Sequence, residues 1–276
     1  IIMDEAHNAR TSLSFDTIER FAPSCVIEFT ATPETRHAPA TGHFASNVLA
    51  HVSAAELKNE EMIKLPVQLH TRPAWTDAVS DAIACQRALE DVATDEASGV
   101  YGGEHRPRIR PIVLFQAQPN RRDGAPITVD VLRRSLIDNH RIPEEQIAIA
   151  TGDHHELDGV DLSDPANPIR FVITVQALRE GWDCPNAYIL CSIAEQTGAR
   201  AVEQILGRIL RMPGAKRRAA AALNESYAYV VSQGFAQAAA GLKDALVANG
   251  FERYEAESVV QEATSGLPLF YARPDA

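Results

Sequence analysis

Residues 1–7 are Ile-Ile-Met-Asp-Glu-Ala-His, and this stretch is the strongest short indication of the fold. An apolar run that ends in paired carboxylates is typical of a buried parallel strand that delivers two acids to the carboxyl edge of a sheet. In phosphoryl transfer to water, one carboxylate can hold the Mg²⁺ that bridges the phosphates, while a second polar group orients the attacking water. Asp4 suits the first role and Glu5 the second. An acidic turn after a strand would explain the same tetrad.

The phosphate cradle that such a strand normally accompanies does not occur in the sequence. The pattern G-x-x-x-x-G-K-[ST] is missing, and the chain has no Gly-Lys dipeptide. Because a carboxylate-bearing strand of this kind is central in a nucleotide-binding sheet, we expect the cradle to come from elsewhere.

Composition places the chain among globular proteins. It has 276 residues, of which 45% are hydrophobic and 23% charged. No apolar run approaches the length of a membrane span and no signal peptide opens the chain, so we predict no membrane association. The net charge of −11 argues mildly against a surface-wide polyanion binder but leaves room for a local basic cleft. The 4 scattered cysteines are typical of reduced thiols in a cytoplasmic protein.

The order of predicted elements indicates an α/β fold. Predicted strands cover residues 24–29, 44–52, 63–69, 111–115, 146–150, 169–175, 187–193 and 226–232. Predicted helices cover residues 16–20, 76–97, 129–140, 176–180, 199–212 and 236–249. Glycines and a proline make 98–108 the best linker, and 153–167 is predicted as a loop. After the linker, strands alternate with helices, which implies a mostly parallel sheet covered on both faces.

A hydroxyl-rich turn, Thr30-Ala31-Thr32, follows the second predicted strand. It would place two hydroxyls beside the strand that carries Asp4, where they could relay between a nucleotide site and the far side of a cleft. A helix N-cap explains the same triplet.

A second cluster, Leu178-Arg179-Glu180-Gly181-Trp182-Asp183-Cys184-Pro185, follows the strand predicted at 169–175. Gly181 permits close backbone approach or a positive φ, and Asp183 could accept hydrogen bonds from a ribose or an arginine. A structural turn between strands, with Trp182 in the core, fits the cluster equally well.

The most specific cluster lies in the predicted helix 199–212. Gln204, Arg208 and Arg211 are spaced to share one helical face, while Ile205, Ile209 and Met212 line another that can dock on the sheet. Gly207 costs about 1 kcal/mol relative to alanine inside a helix, so we expect its small size to be needed. Gln204 with two arginines suits a phosphate chain, and an arginine finger can speed phosphoryl transfer by about 10³–10⁵. A surface helix with ordinary exposed arginines is the alternative.

Taken in order, the four clusters resemble motifs II, III, V and VI of a superfamily 2 DEAH-type helicase. Within that superfamily, the Leu-Arg-Glu-Gly-Trp-Asp-Cys-Pro wording of 178–185 and the Glu-Gln-Ile-Leu-Gly-Arg-Ile-Leu-Arg-Met-Pro wording of 203–213 are most similar to the Res subunit of type III restriction enzymes. The resemblance covers roughly residues 1–255.

The resemblance implies an ATP-dependent DNA translocase whose two RecA-like domains clamp ATP. It implies that Asp4 binds Mg²⁺, that Glu5 polarises the water, and that Arg208 and Arg211 reach the γ-phosphate with Gln204 positioning them or the water. The remaining residues are implied to contact the nucleotide or to couple it to the second domain: His7, Thr30, Thr32, Gly181 and Asp183. DNA is the implied partner, with a modification methyltransferase subunit as a further one.

By the same resemblance, residues 1–70 would end the first RecA-like domain, 71–107 would be a helix and linker, and 108–252 would form a complete second RecA-like domain. Residues 253–276 would connect to a further region. With the phosphate cradle and any recognisable nuclease missing, we interpret the chain as a fragment of a longer protein and expect the chain alone to be inactive. Two alternatives stay open, a repair-type superfamily 2 DNA helicase and a RecA-like binding module that hydrolyses nothing.

Overall fold

The computed structural model describes the following residues: 1–4, 6, 12–30, 33, 45–52, 54–102, 107–119, 126–152, 154, 156–164, 166–175, 183–194, 199–235, 237, 239 and 260–262. The chain forms two compact units, Ile1–Val52 and Ser53–Ala276. The sequence predicts a domain boundary after residue 70; the strand Val67–Thr71, just at that position, pairs with strands of the large unit.

The small unit contains β1 (Ile2–Met3), α1 (Ser12–Arg20) and β2 (Ile27–Glu28). The two strands pair in parallel, with Ile2 opposite Ile27. The predicted pattern of neighbouring strands joined by a short helix is therefore confirmed here. Residues 45–52 have no regular structure, so the strand predicted at 44–52 is wrong over that range.

The large unit is built on a seven-stranded sheet. Its strands are β3 (Val67–Thr71), β4 (Ile112–Gln116), β5 (Ile147–Ile149), β6 (Phe171–Thr174), β7 (Ala187–Ser192), β8 (Ser226–Val230) and β9 (Val260–Glu262). Its helices are α2 (Ala54–Asn59), α3 (Trp75–Ala97), α4 (Val129–Asp138) and α5 (Ala199–Leu210). The spatial order is β5-β6-β4-β7-β8-β3-β9, and every described pair of strands is parallel. The predicted α/β fold with a parallel sheet is confirmed.

Apolar layers cover both faces of this sheet. Alternate residues of β4 point to opposite faces, so that Val113 and Phe115 join one buried cluster while Ile112 and Leu114 join the other. Helices α3 and α4 pack on the first cluster and α5 on the second. Burial on both faces explains why the central strands are continuous apolar runs without polar alternation.

Two strands differ from the sequence prediction in their partners. β3 lies between β8 and β9, although the sequence predicts it at the end of the first domain. β9 falls inside 253–276, which the sequence predicts as a connector, and it extends the sheet at its β3 edge. Local patterns predict that a segment is extended but contain no information about a partner far away in sequence.

The helices predicted at 176–180 and 236–249 lie outside the described residues, apart from residues 237 and 239. Within the part of the chain that is described, no helix has the length and apolarity needed to cross a membrane.

Candidate functional site

Two candidate site residues of the large unit, Asp183 and Arg211, lie at the amino-terminal edge of its sheet. Asp183 lies just before β7, and Arg211 directly follows α5. Helix α5 leads from the carboxyl end of β7 back toward the start of β8, because consecutive parallel strands need a crossover that returns to the starting edge. The fold thereby brings the second and third clusters of the sequence together.

Arg211 and Asp183 form an ion pair, with 2.9 Å between Nη1 of Arg211 and Oδ2 of Asp183. The two side chains are 55% and 51% exposed, so water screens their attraction. Exposed pairs of this kind contribute about 0–1 kcal/mol to stability. Both groups are therefore open to a ligand at little cost to the fold.

Arg211 is not part of the helix, which is a correction to the predicted shared face. Only Gln204 and Arg208 lie within α5, whereas Arg211 forms an isolated antiparallel bridge with Ile63. The amide of Lys64 donates to the carbonyl of Leu210 at 2.6 Å and the amide of Met212 donates to the carbonyl of Met62 at 2.9 Å. Pairing with a distant segment thus replaces the last helical turn, and Pro213 disfavours a helical Met212.

The apolar face of α5 agrees with the prediction. Ile205 and Ile209 are buried against the sheet, whereas Met212, which is also buried, lies beyond the end of the helix. Gln204 is exposed and Arg208 is half-buried. Gly207 differs from expectation, since a Cβ built there meets no described atom within 4 Å. The packing of the described residues therefore gives no steric reason for glycine.

A buried lysine, Lys64, is the site residue that sequence reasoning missed. Its ammonium donates to the carbonyls of Pro185 at 2.8 Å and Ala187 at 2.7 Å, and it lies 3.7 Å from the ring centroid of Tyr188. Burial lowers the pKa of Lys64 well below its ordinary value, and the neighbouring Cys184 opposes this shift. Because lysine is almost always exposed, a lysine within a predicted strand gave no signal of its partners.

In the small unit, Asp4 follows β1 and is exposed, while Thr30 lies just past β2 and is half-buried. Since β1 and β2 are parallel, both residues lie at the carboxyl ends of paired strands, as predicted. The other candidate residues lie outside the described part of the chain: Glu5, His7, Thr32 and Gly181. Among the residues that are described, no group of three potential metal ligands occurs.

No family model and no curated protein matches the chain. Several solved structures have a similar fold. A variant of S. cerevisiae Dbp5 bound to a variant of Gle1 and IP6 is 14% identical, with 96% of this chain and 58% of that chain covered and a TM-score of 0.50. A fragment of a putative HsdR subunit of a type I restriction enzyme from Vibrio vulnificus YJ016 is 20% identical, with coverages of 84% and 43% and a TM-score of 0.48.

The helicase Lhr of Mycobacterium smegmatis, bound to ssDNA and AMP-PNP, is 14% identical, with coverages of 91% and 31% and a TM-score of 0.47. At these identities the likeness concerns the fold alone. The yeast structure supports a RecA-like arrangement of parallel sheet and flanking helices, which confirms the predicted fold class. The chain spans 58% of the length of that yeast protein.

Proposed function

We propose that this chain is part of the motor of an ATP-dependent DNA translocase or helicase, of the kind found in the Res subunit of type III restriction enzymes. In this proposal the large unit contributes Asp183, Arg208 and Arg211 to an ATP molecule, with Gln204 beside them. In the small unit, Asp4 is proposed to bind magnesium and Glu5 to orient the attacking water. The intact protein hydrolyses ATP when it is bound to DNA.

The observation that supports this proposal most directly is the exposed pair of Asp183 and Arg211. A carboxylate that can accept hydrogen bonds from a ribose lies 2.9 Å from a guanidinium that can donate to phosphate oxygens. The two residues come from clusters that are separate in the sequence. Exposed pairs contribute only about 0–1 kcal/mol to stability, so both groups can engage a ligand at little cost to the fold.

The residues of the small unit fit a magnesium nucleotide. Mg²⁺ is usually held by one or two carboxylates together with substrate phosphates and water. Asp4 is an exposed carboxylate at the carboxyl end of β1, so one protein ligand of the expected type is present. Magnesium bound there would neutralise charge on the phosphates.

A kinetic experiment tests the arginine assignment in a longer protein that includes a phosphate-binding loop. Arg211→Ala is expected to lower the DNA-stimulated kcat by about 10²-fold while the KM for ATP changes only a few-fold. The reason is that a finger acts chiefly on the transition state. Lys216→Ala, which removes an exposed cation nearby, is the matched control and should leave both constants unchanged.

DNA binding without nucleotide separates this proposal from a competing role for the same residues. It should be the same for Arg211→Ala and for the unchanged protein. If kcat is instead intact, and DNA binding weakens with a smaller salt dependence, the arginine contacts the nucleic acid and the assignment is wrong. A longer protein with no DNA-stimulated phosphate release at all would favour the non-hydrolysing binding module.

The chain by itself offers a second test. Because it has no sequence of the phosphate-loop type, it should release no phosphate from ATP in the presence of DNA and Mg²⁺. Turnover of about 1 s⁻¹ that Glu5→Gln abolishes would contradict the proposal that the cradle comes from elsewhere.

A further inference from the structure

Lys64 connects the two segments that carry Asp183 and Arg211. Its side chain reaches the backbone just after Asp183, where the carbonyls of Pro185 and Ala187 accept hydrogen bonds from its ammonium. Its main chain reaches the backbone just before Arg211, where its amide donates to the carbonyl of Leu210 at 2.6 Å. One residue is thus bonded to both sides of the ion pair.

The hydrogen-bonding capacity of the Lys64 ammonium is fully used. An ammonium has three N–H donors, and here two carbonyls and the face of the Tyr188 ring surround it. The residue is 0% exposed, so these contacts are not exchanged for water. Two short hydrogen bonds and the ring contact therefore hold the end of the side chain against the backbone that follows Asp183.

The main-chain attachment is reinforced by a buried serine. The hydroxyl of Ser226, the first residue of β8, donates to the carbonyl of Ile209 at 2.9 Å and lies 3.4 Å from the carbonyl of Lys64. The last turn of α5 and the segment before β3 are therefore fixed to the same strand end.

The ion pair alone cannot set its own geometry, because exposed pairs of this type contribute about 0–1 kcal/mol. We infer that Lys64 is a positioning residue, which holds the backbone of Asp183 and of Arg211 at the spacing that both need in order to contact one nucleotide. The nucleotide-binding purpose of this positioning rests on the proposed function. The positioning itself requires no nucleotide and is measured without one.

The test measures the mobility of the Arg211 side chain by NMR of its Nε–H group in the full chain. Asp183→Ala provides the reference for an arginine that has lost its partner. Lys64→Met replaces the lysine with an unbranched apolar side chain that is one atom shorter; it removes the side-chain donors and keeps the main-chain amide. In this variant the order parameter of Arg211 is expected to fall by at least about half of the difference between the unchanged chain and that reference. Lys216→Met, at an exposed lysine, should cause no such fall.

A destabilised control distinguishes positioning from general loosening. Leu69→Ala creates a cavity in the buried strand β3 and lowers stability without touching any hydrogen bond of Lys64. Arg211 should stay as ordered in this variant as in the unchanged chain. If Leu69→Ala mobilises Arg211 as much as Lys64→Met does, Lys64 has only a structural role and the inference is wrong.

Two further results would also overturn the inference: an ordered Arg211 in Lys64→Met, or an unchanged chain in which Arg211 is already as mobile as in Asp183→Ala. If Lys64→Met fails to fold, the order parameter of Arg211 is measured in Ser226→Ala and compared with the same reference. This variant removes the hydroxyl that lies between the carbonyls of Ile209 and Lys64 at nearly constant volume. Lys64→Met could mobilise Arg211 as expected while the longer protein binds no nucleotide. That outcome would contradict the proposed function but would still support the positioning role of Lys64.

Discussion

Two arginine–carboxylate pairs of the large unit differ in almost every physical respect. The pair of Arg218 and Glu96 is buried, with side chains 5% and 2% exposed, whereas the pair of Arg211 and Asp183 is 55% and 51% exposed. The first joins the end of α3 to the loop that precedes β8, and the second joins the segments around α5 and β7.

The buried pair is held in place by several further hydrogen bonds from the protein. Glu96 accepts hydrogen bonds from Nε of Arg218 at 2.7 Å and from the amides of Ala219 at 2.6 Å and Ala220 at 3.2 Å. Arg218 also donates to the carbonyl of Pro107 at 3.0 Å. A buried pair with several hydrogen bonds fastens two segments together, while an exposed pair contributes little and leaves its groups available for a ligand.

The largest effect that this comparison predicts is for Glu96→Ala. Removal of the carboxylate leaves the Arg218 guanidinium buried without its counter-ion, and breaking such a pair costs about 3–5 kcal/mol. Urea unfolding, followed by circular dichroism, measures the loss. Asp183→Ala is the matched control and should cost less than about 1 kcal/mol. Equal losses in the two variants would show that exposure does not separate the pairs.

A third pair, Arg72 and Asp81, is intermediate in exposure and lies beside the buried His70. Burial, reinforced by Arg72 and opposed by Asp81, lowers the pKa of His70 to about 4. Neither ring nitrogen has a hydrogen-bond partner among the described residues, and the ring stacks on Tyr229 at 4.7 Å. The folded chain therefore takes up this proton only at a lower pH than the unfolded chain does.

This difference predicts a pH dependence of stability with a definite sign. Neutral His70 makes its full contribution to the free energy of unfolding above the unfolded pKa of about 6.5. This contribution, about 3 kcal/mol in total, is lost as the pH falls toward 4. His70→Phe should remove this part of the slope, because the ring can still stack but no longer titrates. Urea midpoints at several pH values measure it, and identical slopes in both proteins would contradict the prediction.

Gly207→Ala should raise stability, in contrast to the two losses above. A helical glycine costs about 0.5–1 kcal/mol relative to alanine, and the added methyl group meets no described atom. Thermal unfolding of the chain measures the gain. If the same substitution lowers ATPase activity in a longer protein, the space beside Gly207 is needed by a ligand, which would sharpen the contrast between the exposed and the buried regions.

The smallest effect is expected for Asp183→Asn, which removes a charge from the exposed pair but keeps its shape. Stability should change by less than about 0.5 kcal/mol, and any change should shrink further in high salt. Chemical denaturation at low and high ionic strength is the measurement. A loss comparable to that of Glu96→Ala would mean that Asp183 stabilises the fold, and it would weaken the functional interpretation of this pair.

The sequence predicted individual elements better than it predicted their partners. Helix α3 was expected at 76–97 and lies at Trp75–Ala97, and its buried positions Val79, Ile83 and Leu89 follow the expected period. The strand predicted at 63–69 was also found, as β3, but it lies in the other unit from the one expected. The roles of the candidate site residues in chemistry remain predictions.

By itself, the sequence determined the α/β class, the apolar face of α5 and the presence of Asp183 in one cluster and of Arg208 and Arg211 in another. These follow from local spacing, because side-chain period and strand–helix alternation are properties of neighbouring residues. Only the tertiary structure decided that Arg211 leaves the helix to pair with Ile63, that Asp183 is its partner, and that Lys64 is buried between their segments. Such contacts join residues far apart in the chain, and the register of the folded strands selects them.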